Sequence, residues 1–107
     1  MAALSIQERK RLRQIGHALN PVVMVGSQGL TENVIEETNR ALNDHELIKV
    51  KIGGEDREVR AAVITEIAAA TGSEVVQTIG KIALLYKKAA KQNAKLSNLV
   101  RHAHLSN

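Results

Sequence analysis

Gly26, Ser27, Gln28 and Gly29 are the residues whose types and spacing speak most directly of chemistry. They follow an apolar run, Val22, Val23, Met24 and Val25, and they precede Thr31, a residue type that caps helices. A glycine has no Cβ to hold a ligand away from the main chain. The first amides of a helix have no internal partner and stand at the positive end of its dipole. Strand, Gly-x-x-Gly and helix start, in that order, therefore make a turn suited to an anion held by bare backbone.

The neighbouring charges point to a polymeric anion. Both ends of the chain are basic: Arg9, Lys10, Arg11 and Arg13 face only Glu8 before residue 20, and no acid follows Lys81. The middle is acidic, so the surface is expected to have two faces, one for a polyanion and one for water or a second partner. K-homology RNA-binding modules use a GxxG loop to clamp about four nucleotides of backbone. Ser27 and Gln28 are neutral, so the charge in such a clamp must come from elsewhere, and Arg9, Lys10, Arg13, Lys49 and Lys51 are the candidates. Ser27 and Gln28 can still hydrogen-bond phosphate oxygens or ribose hydroxyls. Lys49 and Lys51 have a competing reading as edge-strand lysines that discourage strand addition.

Other chemistry finds little support. Cysteine is absent, which removes disulfides, thiolate metal sites and thiol nucleophiles and suits a reducing, cytoplasmic setting. His102 and His104 lack a partnering Cys or carboxylate, so no metal site is expected, and His17 and His45 read as helix-end residues. No nucleophile triad, carboxylate pair, zinc-protease helix or phosphate-loop Gly-Lys-Thr/Ser can be assembled, so neither catalysis, a cofactor nor a small-molecule substrate is expected. Tyr86 is the only aromatic residue. Without aromatic platforms, recognition is expected to rest on backbone shape and charge. No signal segment or membrane-length apolar run is visible.

The elements that must position these residues follow from periodicity. With 107 residues, 44% of them apolar and nearly all aliphatic, the chain supports one modest core. Ser5 and Glu8 form a capping box for a helix over residues 6–18, with Leu12, Ile15 and Leu19 on one side and Arg9, Lys10 and Arg13 nearly opposite. A strand over 22–25 leads through the glycine turn to a second helix striped by Leu30, Val34, Thr38 and Ala41. Residues 47–52 alternate strictly, with Ile48, Val50 and Ile52 on the buried face and Leu47, Lys49 and Lys51 on the other. Asp56 caps a third helix striped by Val59, Val63, Ile67 and Ala70. Strands over 75–79 and 82–86 flank Gly80-Lys81, a type II′ hairpin link. The order α-β-α-β-α-β-β predicts an α/β (α+β) domain with a four-stranded mixed sheet and two amphipathic helices over one face. Residues 1–88 form this domain. Residues 89–107 are a basic tail, either a short amphipathic helix or disordered.

Three runs carry a family resemblance: Pro21-Val22-Val23-Met24-Val25-Gly26-Ser27-Gln28-Gly29-Leu30-Thr31, His45-Glu46-Leu47-Ile48-Lys49-Val50-Lys51, and Thr78-Ile79-Gly80-Lys81 on to Leu85-Tyr86. In this order and spacing they resemble the CRM domain, and the chain as a whole resembles its stand-alone bacterial YhbY-type form. The resemblance covers roughly residues 4–88. It implies an RNA-binding module that holds RNA at the GxxG loop, here Gly26, Ser27, Gln28 and Gly29 with the adjoining Thr31. It further implies association with rRNA in precursors of the large ribosomal subunit. The alternative is a protein-interaction adaptor whose acidic centre docks basic ribosomal proteins.

Overall fold

Local signals set most of the helix ends in the computed structural model, which describes residues 4–26 and 28–106. Helix α1 (Ile6–Gly16) begins at the capping box: the Ser5 hydroxyl accepts the Glu8 amide, and the Glu8 carboxylate accepts the Ser5 amide. Strand β1 (Pro21–Val25) and the glycine turn lead to α2 (Glu32–His45), capped by Thr31. Strand β2 (Leu47–Ile52) follows, then α3 (Arg57–Thr71), whose cap Asp56 accepts the amides of Glu58 and Val59. Strands β3 (Glu74–Ile79) and β4 (Ile82–Tyr86) form a hairpin. Gly80 has φ +56° and Lys81 has no positive φ, as a type II′ link requires.

The sheet order is β1-β2-β4-β3. β1 and β2 pair in parallel, and β4 runs antiparallel to both of its neighbours. The mixed four-stranded α+β sheet is as expected. β2 lies between β1 and β4, however, so the edge-strand reading of Lys49 and Lys51 is corrected: both stand on an interior strand.

The sheet separates two apolar clusters. On one face Val23, Val25, Ile48, Val50, Ile52, Ala83 and Leu85 pack beneath α2 and α3. On the other, Leu12 and Ile15 of α1 bury Leu47, Val76 and Leu84, with Tyr86 and Leu99 alongside. The stripe of α3 is shifted from the expected one: Ile64, Ile67 and Thr71 are buried, whereas Val59 and Ala70 are exposed. Leu47 is likewise buried, because α1 covers its end of the second face.

Beyond Lys88 the chain folds back over that same end. A short helix α4 (Asn98–Arg101) is followed by a 3₁₀ turn (Ala103–Ser106) that packs on α1. The anchor is Glu46, 2% exposed, whose carboxylate accepts the Ala89 amide, the Gln92 side chain and the Ser97 hydroxyl at 2.9, 2.6 and 2.7 Å. Burial pushes this carboxyl upward, but those three donors and the nearby Lys88 outweigh burial and hold it below its ordinary value.

Candidate nucleic-acid interface

The glycine turn is open to the outside. The Gly29 amide donates to the Gly26 carbonyl at 3.0 Å, and Gly29 sits at φ +77°, a conformation that side chains with a Cβ resist. A Cβ built on Gly26 or Gly29 would meet no atom of the described residues within 4 Å beyond its chain neighbours, so the main chain at these two positions is uncrowded. Gln28 is exposed; Ser27 lies outside the described residues. Thr31 spends its hydroxyl on the Val34 amide at 3.2 Å. The amides of Glu32 and Asn33 have no acceptor among the described residues. Glu32 also places a carboxylate in this first turn, where it opposes an incoming anion.

A second glycine segment adjoins the first. The Gly53 amide donates to the Val25 carbonyl at 2.7 Å, and a Cβ on Gly53 would stand 3.1 Å from that oxygen. The two segments meet because β1 and β2 are parallel and end at the same edge, where parallel sheets offer ligand sites. In the sequence Gly53-Gly54 reads only as the break that ends a strand, ahead of two acids without metal partners. Their position after a strand parallel to β1 was the signal that could have found them.

The candidate cations are distributed unevenly. Lys51 is the Cα partner of Met24, two residues before Gly26 and so roughly 7 Å back along the strand at about 3.3 Å per residue. It is exposed and makes no hydrogen bond or ion pair among the described residues. Lys49 is half-buried and donates to the Leu19 carbonyl at 3.1 Å, which ties the α1–β1 connection to the sheet. Arg9 points elsewhere. Its Nη1 donates to the carbonyls of Val75 and Val76 at 2.9 and 3.0 Å, at the irregularity in β3, so its guanidinium is engaged in the fold away from the turn. Arg13 is half-buried one helical turn further on, and Lys10 is exposed. Arg9, Arg13 and His17 thus form one row along α1 at four-residue spacing.

A further groove of about 580 Å³ runs between α3 and β3 and is lined by Arg57, Arg60, Thr65 and Thr78. Arg60 donates through Nη1 to the Gly54 carbonyl at 2.8 Å, and its Nε is buried without a partner among the described residues. Among the described residues no three His, Cys, Asp or Glu side chains gather as a metal site, and no helix is long and apolar enough to cross a membrane.

The model of the CRS1 / YhbY (CRM) domain matches residues 4–87. The chain belongs to the CRM domain family. It is 50% identical over 101 residues to a Pseudomonas aeruginosa protein named a probable RNA-binding protein, covering 94% of this chain and 97% of that one. A Haemophilus influenzae protein named RNA-binding protein is 46% identical over 96 residues, covering 90% and 97%. The structure resembles the solution structure of a Staphylococcus aureus protein with a TM-score of 0.74 at 28% identity, covering 89% of this chain and 98% of that one. The CRM match includes the glycine turn, α1 and β2, and it ends before the tail that Glu46 anchors.

Proposed function

We propose that this protein is a non-catalytic, cytoplasmic RNA-binding protein that acts on rRNA in precursors of the large ribosomal subunit. The reading is carried by the uncrowded main chain at Gly26 and Gly29, which stands before a helix start in a CRM chain whose relatives are named for RNA binding. RNA backbone approaches Gly26, Ser27, Gln28 and Gly29, with Thr31 holding the helix start in place. Lys51 meets the adjoining phosphate. Lys10 and Arg13 extend the positive surface, and Lys49 and Arg9 hold the elements that present it. The specificity for ribosomal precursors rests on the family resemblance.

Replacing both Ser27 and Gln28 by Asp tests the loop. Two carboxylates in front of the turn repel phosphate, so rRNA affinity is expected to fall at least tenfold while circular dichroism and thermal melting stay near those of the unaltered protein. Unchanged affinity would remove the loop from the mechanism. Sequencing of RNA crosslinked to the protein in cells tests the ribosomal assignment, with large-subunit precursor rRNA expected.

The adaptor reading draws on Glu32, Glu36 and Glu37, all exposed on α2. It predicts that nuclease-treated, RNA-free protein still captures basic ribosomal proteins.

A further inference from the structure

Helix α1 covers only half of its sheet face. Gly16 closes it against Leu84, so close that a Cβ there would stand 2.7 Å from a Leu84 methyl. The half of the sheet toward the glycine turn carries no helix. The pairing registers place Met24, Lys51, Ile82 and Ile79 in one row across all four strands, pointing to this bare face. Met24 is 67% exposed and Ile79 61%, a large fraction for apolar side chains standing on one continuous surface. Behind this row lies a cleft of about 160 Å³ between the sheet and the end of α1, lined by Leu84, Ile82 and Ile79 with His17, Lys49 and Gln77 at its sides. That is room for roughly five waters at about 30 Å³ each, the scale of one flat heterocycle.

We infer that this shelf seats unpaired nucleobases of the RNA whose backbone lies at the glycine turn, so that the protein selects single-stranded over paired RNA. The inference rests on the RNA-binding reading above and specifies its ligand. A nucleobase has two apolar faces and a hydrogen-bonding rim, and it travels with a negative phosphate. The shelf offers the complement: aliphatic surface from Met24, Ile79 and Ile82, a free ammonium at Lys51, and Gln77 and His17 for the rim. No acid stands among the residues of the row or the cleft. The surface also adjoins the turn, since Met24 is two residues from Gly26. In a paired helix the base faces are stacked inside and cannot reach such a shelf. Aliphatic side chains here take the part that aromatic platforms play in other single-strand binders.

The test replaces Met24 and Ile79 together by Ser, at positions exposed enough to leave the cores intact. Affinity is measured by fluorescence anisotropy for a single-stranded RNA oligonucleotide and for a duplex of the same length. Unaltered protein is expected to prefer the single strand. The double variant should lose about five- to tenfold on the single strand and less than twofold on the duplex, with an unchanged dependence on salt, because no phosphate contact is removed. Lys51→Ala should instead shrink the salt dependence, by about 0.7 in the slope of log affinity against log salt. Equal loss on both RNAs, or no loss on either, overturns the shelf. So does a change in sedimentation with RNA affinity intact, which would make this face a contact between two copies of the chain. The loop variant separates this from the parent reading: if it still binds RNA normally the turn fails, whereas the Met24/Ile79 result bears on the shelf alone.

Discussion

Glu46 links the domain to its tail at a single residue. It sits at φ +62°, which for a residue with a Cβ costs about 1–3 kcal/mol, and it is buried with its charge. The arrangement persists because three donors from the tail satisfy the carboxylate. In Glu46→Gln the amide nitrogen must replace one of the two acceptor oxygens, so a buried donor loses its partner and stability should fall by about 1–3 kcal/mol, read by urea denaturation. Acid should do the same. Unfolded, the group titrates at its ordinary 4.5, and in the folded protein it titrates lower, so its stabilisation is present above 4.5 and disappears as pH falls through the folded value. Exchange of the Ala89 amide should therefore accelerate below that range before the sheet amides follow. Nothing in the sequence announced this role. A glutamate after a helix reads as surface, and its burial depends on a segment some forty residues downstream. The glycine turn, by contrast, was legible, because its signal is local: residue types without Cβ between a strand and a cap.

At the scale of elements, periodicity placed every strand within a residue, yet it could not say which strands form the edges. β2 alternates as an edge strand would, and only the pairing of β4 with it makes it interior. The stripe of α3 was misplaced for a related reason: an alanine-rich helix has apolar residues on several sides, and the sheet, not the pattern, selects Ile64, Ile67 and Thr71. Arg9 shows the same limit among the charges. On a helical wheel it belongs to the basic face of α1, but its length lets it reach the carbonyls of β3, an open edge strand, and satisfy two of them. Arg9→Ala should accordingly cost about 1.5–3 kcal/mol of stability, the range for hydrogen bonds to a charged group, and should loosen α1 from β3 in hydrogen exchange. Lys10→Ala, at an exposed position with no hydrogen bond or ion pair among the described residues, should leave stability within about 0.5 kcal/mol and lower RNA affinity instead.

Across the whole molecule the sheet divides charge as well as apolar surface. Arg9, Lys10, Arg11 and Arg13 outnumber Glu8 on α1, on the side of the bare shelf; on the opposite face Glu32, Glu36, Glu37 and Asp44 outnumber Arg40 on α2, and Arg57 and Arg60 balance Glu58 and Glu66 on α3. A net charge of +4 therefore understates the field in front of the shelf. If RNA lies on that side, its binding should release counterions in proportion to the cations it meets. With Lys10, Arg13 and Lys51 engaged, log affinity should fall with log salt at a slope of about −2 for a single strand, at roughly 0.7 per phosphate. The far end of α2 makes the control. Asp44 lies thirteen residues past the Thr31 cap, roughly 20 Å along the helix at about 1.5 Å per residue. Screening reduces charge interactions beyond about 10 Å at 0.1 M salt, so Asp44→Asn should change affinity less than twofold near 0.15 M salt and more at 0.02 M, where the screening length is nearly three times as long. A large gain at the higher salt would mean that the RNA runs along α2, and a slope near zero would mean that phosphate is not what this surface binds.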